Sequence, residues 1–271
     1  MILRIIRFLD PNGQEHLGLD LSEGKADRIT GDLFGASGGP VKGSGEILRV
    51  GKLLAPLAPI NIFGIGLNYR KHANEGGVAI PNRPIVFMKP VTTLNHPGDP
   101  IRIPKVCQEE PETDFECELA VVIGKAGKDI AESQALDHVL GYTCAVDVSA
   151  RLWQLKRGGG QHIRGKGFDT FCPLGPALVT TDEIPDPQTL RLTTTLNGQL
   201  MQDGHTSDMI FSVAHLISYI SQDTTLLPGT VILTGTPDGV GFARNPKILL
   251  TAGDKLAVQV EKIGLLENPV S

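Results

Sequence analysis

The stretch DFECELAVVIG, residues 114–124, decides how the rest of the chain is read. Its four consecutive apolar residues, Ala120 to Ile123, mark a strand entering a core. Side chains alternate along a strand, so Glu116 and Glu118 share one face, roughly 7 Å apart, while Cys117 and Leu119 take the other. Two like charges beside a core are costly unless a positive group lies between them. The next apolar strand, within YTCAV at 142–146, ends at Asp147 and supplies a third carboxylate. Three carboxylates with no Cys or His pattern nearby describe a hard-cation site, suited to Mg²⁺, Mn²⁺ or Ca²⁺ and poorly suited to zinc. The same residues also fit surface carboxylates at strand ends, and Asp147 fits a helix N-cap.

Composition narrows the classes around this strand. The chain has 271 residues, 41% hydrophobic and 20% charged, which is room for one large domain or a main domain with a small appendage. A net charge of −5, without a dense basic stripe, excludes nucleic acid as the main ligand. Apolar runs such as LAVVIG fall far short of the ~20 residues of a membrane span. The opening MILRIIRFLDPNGQEHLG carries Arg4 and Arg7 and no small-residue cleavage site, so it reads as a first strand turning at DPNG and not as a signal peptide. Cys107, Cys117, Cys144 and Cys172 form no CxxC pair, and reduced thiols in a cytoplasm are expected.

Turn residues divide the chain into a small β-rich unit over residues 1–55 and a main domain over 56–271, with GASGGP and KGSG as a mobile connection in the first. The main domain reads as a β-rich α+β fold with few, short helices. Short strands are expected at INIFGIG, RPIVFMKP, DPIRIP and GTVILTG, a hairpin about Asn197-Gly198, and helices at NYRKHANE, AESQALDHVLGY (ending at Gly141) and MIFSVAHLISYIS.

Three further segments carry chemistry. In NYRKHANEGG, helical spacing puts His72 and Glu75 on one face, where the carboxylate can orient the imidazole as a general base; an incidental pair on a solvated helix has the same spacing. LWQLKRGGGQHIRGKG places a glycine run beside Gln161, His162, Arg164 and Lys166, which fits a loop closing over an anionic substrate or a flexible surface loop. TGTPDGVG, 234–241, lacks the GK[ST] ending of a phosphate-cradling loop and reads as a tight turn that leaves Thr236 available to a ligand.

Taken in order, GIGLNYRKHANE, DFECELAVVIGK, GYTCAVDVSARLWQ, GKGFDTFCPLGPALV and GTVILTGTPDGVG resemble the fumarylacetoacetate hydrolase family over nearly all of residues 58–270. KGFDTFCPLGPALVT is most similar to the subgroup called fumarylacetoacetate hydrolase domain-containing protein 2. The resemblance implies a rolled, mixed β-sheet catalytic domain behind a small N-terminal β domain, in a homodimer. It implies that Glu116, Glu118 and Asp147 ligate Mg²⁺ (or Mn²⁺), and that His72 and Glu75 activate water. By the same resemblance Lys166 is an active-site lysine, and Tyr69, Arg151, Gln154 and Thr236 are substrate-facing. Two residues depart from the family pattern: Leu152 replaces the Asp of SARDWQ, and His162 replaces the Trp of GQW.

The resemblance also implies that the substrate is a small 2-oxo or β-diketo acid. The leading expectation is divalent-metal-dependent hydrolysis of a C–C bond in an acylpyruvate- or fumarylacetoacetate-like acid. The alternative is oxaloacetate keto–enol tautomerisation, or oxaloacetate decarboxylation, at the same site. No nucleic acid or membrane partner is expected.

Overall fold

The computed structural model describes residues 4–34 and 42–271; GASGGP, at 35–40, lies outside the described residues. The first part of the chain supplies β1 (Arg4–Leu9), β2 (Glu15–Ser22), β3 (Lys25–Ile29), β4 (Gly43–Arg49) and β5 (Lys52–Leu54). DPNG makes the β1–β2 turn, with Gly13 at φ 84°. Then follow β6 (Asn61–Gly66), α1 (Arg70–Glu75), β7 (Ile85–Lys89), β8 (Leu94–Asn95), β9 (Thr113–Asp114), β10 (Cys117–Ile123), β11 (Val139–Val146) and β12 (Ser149–Ala150). A π-helical turn at Trp153–Arg157 leads to α2 (His162–Lys166) and β13 (Cys172–Thr180). The chain closes with β14 (Arg191–Leu196), β15 (Gln199–His205), α3 (Val213–Ile220), β16 (Thr230–Leu233), β17 (Lys255–Val260) and β18 (Gly264–Pro269).

One large sheet runs β4-β3-β2-β1-β13-β11-β10-β16-β6-β7, with β5 on β1 and β8 on β13. It is mixed: β16–β6 and β13–β8 are parallel and the other pairs antiparallel. A second, antiparallel sheet, β15-β14-β17-β18, packs on one face. All seven residues of β10 are buried, because both of its faces are covered. Cys117, Leu119, Val121 and Ile123 face the cluster shared with β14, β17 and α3, while Ala120 and Val122 face a second cluster with Ile62, Leu174 and Leu233. The alternation read from the sequence therefore holds inside a run that looks uniformly apolar.

The β14–β15 hairpin turns at Asn197 (φ 51°) and Gly198 (φ 81°), and Ser212 caps α3 by accepting from the His215 N–H, 3.2 Å. Two expectations are corrected. AESQALDHVLGY is not a helix ending at Gly141: a 3₁₀ turn covers Glu132–His138, and Gly141 lies inside β11. A side chain there would meet the Val179 carbonyl oxygen at 2.3 Å, so the glycine serves strand approach and not helix termination. DPIRIP forms no strand, only an isolated parallel bridge from Ile101 to Val270: Ile101 and Ile103 donate to the Pro269 and Ser271 carbonyls, both at 2.8 Å, while Pro100 and Pro104 bring no N–H on either side. The four cysteines are free and buried. Among the described residues no helix is long and apolar enough to cross a membrane.

Candidate active site

The register of β10 and β11 builds the site. Cys117 pairs with Val146 and Glu118 with Ala145, and one step further the Asp147 N–H donates to the Glu116 carbonyl, 2.9 Å. Residues directly opposite on antiparallel strands share a face, so Glu116, Glu118 and Asp147 project together, beyond the last apolar residues of the Ala120–Val122 face. Their carboxylate oxygens lie within 4.8 Å of one another, and all three residues are buried. Asp147 is no N-cap: β12 separates it from the helical turn.

Cations converge on two of the three. Lys166 Nζ donates to Glu116 Oε2 (2.8 Å), Asp147 Oδ2 (2.6 Å) and Ser149 Oγ (2.7 Å). Arg151 Nη2 lies 2.7 Å from Glu116 Oε1 and 2.7 Å from Asp114 Oδ2, and its Nη1 donates to Gln154 Oε1 at 2.9 Å. Burial pushes the Glu116 carboxyl up, but Lys166 and Arg151 outweigh it and hold the group well below the usual carboxylate range. Burial likewise works against the charged Lys166, yet Asp147 and Glu116 keep its ammonium above the ordinary lysine value.

Two participants were not anticipated from the sequence. Lys89, at the end of β7, is fully buried and donates to Asp147 Oδ1 at 2.6 Å and to the carbonyls of Val148 and Lys166. Asp114 holds Arg151 and also accepts from the Gly241 and Phe242 N–H groups, 2.9 and 3.1 Å, tying the guanidinium to the 239–243 loop. The signal for Lys89 was a charge in an apolar strand bounded by prolines. Asp114 heads the opening motif, and the alternation that pairs Glu116 with Glu118 puts it on the same face.

Glu118 is different. Its Oε2 accepts from the Gly235 N–H at 2.6 Å, and among the described residues it has no cation partner. Burial, then the charges of Asp147 and Glu116, push its carboxyl well above the ordinary value. Four buried carboxylates (Asp114, Glu116, Glu118, Asp147) face three buried cations (Lys89, Arg151, Lys166), leaving one negative charge uncompensated. An all-oxygen donor set with a surplus negative charge fits a hard divalent cation.

Above the carboxylates lies a cavity of roughly 370 Å³. Of the predicted residues, His72, Glu116, Arg151, Gln154, Lys166 and Thr236 line it, against apolar walls that include Val78, Phe87, Leu155 and Phe242. Glu118 and Asp147 lie beneath. Glu75 stands behind His72: its Oε2 is 3.3 Å from His72 Nδ1, and both its oxygens accept from the Gly239 N–H, 3.0 and 3.1 Å. The Thr236 hydroxyl is occupied by the protein, donating to the Cys117 carbonyl and accepting from Gln202, both at 2.9 Å. Tyr69 is fully buried and does not line the cavity; burial raises its phenol above the ordinary value, and its hydroxyl has no hydrogen-bond partner. Of the departing residues, Leu152 sits at the start of the helical turn, its N–H donating to Glu112 Oε2 at 2.9 Å, and His162 lines the cavity.

Residues 61–271 match the family described as Fumarylacetoacetate (FAA) hydrolase C-terminal, and the chain belongs to that enzyme family. It is 51% identical over 219 residues to an oxaloacetate tautomerase of Xenopus laevis, named fahd2, mitochondrial, covering 80% of this chain and 68% of that one. A 2-hydroxyhepta-2,4-diene-1,7-dioate isomerase from Mycobacterium marinum matches with TM-score 0.82 at 37% identity, over 99% of this chain and 98% of that one. A fumarylacetoacetate hydrolase from Exiguobacterium antarcticum matches with TM-score 0.86 at 33% identity, over 99% of both chains. The cytoplasmic assignment is overturned: the Xenopus relative, like bovine and human ones, is named as mitochondrial. Thiols stay reduced in more than one compartment, so free cysteines do not single out the cytoplasm.

Proposed function

We propose that this protein is a divalent-metal-dependent tautomerase that interconverts the keto and enol forms of oxaloacetate or a closely similar 2-oxo diacid. The choice over C–C hydrolysis is carried by its 51% identity, across 80% of the chain, to a protein named as an oxaloacetate tautomerase. Glu116, Glu118 and Asp147 would hold the cation, with Mg²⁺ the first choice and Mn²⁺ or Ca²⁺ as alternatives. When bound, it supplies Lewis acidity toward the oxygens of a 2-oxo acid.

The remaining chemistry is a proton shift. The C3–H bond of the keto form breaks and an O–H bond forms at the C2 oxygen, with no water consumed. His72 is suited to carry that proton. Its Nδ1 is fixed by Glu75, and among the described residues its Nε2 has no protein partner, so one nitrogen faces the cavity with a set tautomer. Glu75, braced by Gly239 N–H, stabilises the imidazolium formed midway. Apolar walls keep competing water low.

Decay of enol-oxaloacetate absorbance, followed with and without Mg²⁺ and chelator, tests the proposal. Acceleration that vanishes on chelation and drops roughly 10²–10⁴-fold in His72→Ala is expected. No acceleration over buffer at any enzyme concentration would sink the tautomerase. A second reading, hydrolysis of a β-diketo acid, draws on the likeness to the Exiguobacterium hydrolase, and pyruvate release from an acylpyruvate would support it instead. A homodimer belongs to the same proposal, supported by the free edge strand β7, where Ile85, Val86 and Met88 are exposed. So does the division of the chain into units at 1–55 and 56–271.

A further inference from the structure

A four-carbon diacid brings a second carboxylate, and of the eight N–H donors on the cavity's two permanent cations seven are already committed. Lys166 Nζ has three acceptors, Glu116, Asp147 and Ser149. Arg151 spends four of its five N–H donors, Nε and both of Nη2 on Asp114 and Glu116 and one of Nη1 on Gln154. The Thr236 hydroxyl proton goes to the Cys117 carbonyl. Among the described residues, the polar lining groups that retain an unclaimed nitrogen are His72, Gln154 and His162. His72 is taken up by the proton shift proposed above.

His162 is the departure from the family pattern that no other part of the mechanism uses. It stands at the start of α2, its ring tilted against Phe87 with centroids 5.5 Å apart. Its Nδ1 is buried without a partner, which leaves Nε2 as the accessible nitrogen of a ring that lines the cavity. Orphaned buried donors are rarer than under-satisfied acceptors, so the favoured neutral tautomer leaves Nδ1 bare and carries the proton on Nε2. Burial, then the Lys166 charge, hold the imidazole below its ordinary value, in keeping with a neutral ring.

We propose that His162 Nε2–H, with the free amide of Gln154, binds the distal carboxylate of the substrate and so selects diacids over acids that carry only the 2-oxo carboxylate end. This rests on the reading of the carboxylate triad as the site for that chelating end. A tryptophan at position 162 would present a bulkier ring with its single N–H elsewhere on the frame, so the histidine sets a preference particular to this chain.

The test is calorimetric, on the Mg²⁺-loaded protein, with two non-reacting ligands. Oxalate offers the chelating end alone; malate adds the distal carboxylate. In His162→Ala, malate affinity is expected to fall roughly ten- to a hundredfold, the scale of a lost hydrogen bond to a charged group, with oxalate affinity unchanged within about twofold. His162→Gln, which restores a donor, should recover part of the loss. Malate affinity unchanged in His162→Ala overturns the inference while leaving the site reading intact. Equal loss of both ligands also overturns it, because His162 would then support the whole site. Failure of oxalate to bind the unmodified protein with Mg²⁺ overturns the site reading itself.

Discussion

Replacing Lys89 by methionine tests the charge balance of the site without any assay of turnover. Lys89 is fully buried, its Nζ 2.6 Å from Asp147 Oδ1, and its removal leaves that oxygen without its cation. Methionine keeps most of the aliphatic volume, so the loss is chiefly electrostatic. Breaking a buried pair from one side costs about 3–5 kcal/mol. For a chain of this size each kcal/mol moves the midpoint by roughly 2–4 °C, so a fall of roughly 6–20 °C is expected in metal-free buffer. The uncompensated charge at the site grows from one to two: four carboxylates now face only Arg151 and Lys166. A dication should then stabilise the variant more than the wild type, each tenfold gain in affinity adding about 1.4 kcal/mol at saturating metal. Urea and thermal unfolding of both proteins, with chelator and across a Mg²⁺ series, measure this. A metal-free variant within 1 kcal/mol of wild type, or equal Mg²⁺ stabilisation of the two, would refute the charge count.

Three other substitutions probe separate parts of the structure. Glu118→Gln should weaken Mg²⁺ binding at least roughly tenfold by calorimetry while raising metal-free stability in urea, because it removes the carboxylate of the cluster that has no cation partner among the described residues. Asn68→Ala should cost about 2–3 kcal/mol in urea unfolding, since the fully buried amide donates to Phe211 and Thr234 carbonyls (3.0 and 2.8 Å) and accepts from the Phe211 N–H (2.9 Å). Gly141→Ala should lower stability by about 1–3 kcal/mol, because the added methyl meets the Val179 carbonyl oxygen at 2.3 Å and must push β11 from β13.

What the sequence made legible followed from short-range rules. Alternation placed Glu116 and Glu118 on one face, helical spacing joined His72 to Glu75, and Asn197-Gly198 announced its hairpin. What stayed hidden depends on long-range register. Lys89 reaches Asp147 across 58 residues of chain, and its place at the end of a proline-bounded apolar strand marks it as unusual without naming that partner. Gly141 looked like a helix stop because the demand for a missing Cβ comes from β13, which lies some forty residues later in the chain. The family resemblance implies a substrate-facing Tyr69, yet its ring turns into the core while His72, three residues on, turns to the cavity. DPIRIP has strand-like composition, but its pairing with the 269–271 stretch extends no further than one bridge between its two prolines.

The cations explain how such a site can fold before any metal arrives. Lys89 comes from β7, Arg151 from just beyond β12 and Lys166 from the end of α2, and all three converge on carboxylates carried by β9, by β11's end and by the approach to β10. Lys89 and Lys166 each tie a different segment to Asp147 at the end of β11, and Arg151 ties the start of the helical turn to Asp114 on β9 and to Glu116 beside β10. The stretch 151–166, with its π-helical turn and glycines, is pinned at both ends, by Arg151 on Asp114 and by Lys166 on Asp147. Between those pins lie Gln154 and His162, which keep free nitrogens toward the cavity. Fixed ends and an uncommitted middle divide the labour: the pinned cations hold the carboxylate cluster together, and the residues between them are left to choose the ligand. Variation at position 162 can then change selectivity without disturbing the carboxylates beneath, because the His162 ring makes no hydrogen bond to them among the described residues.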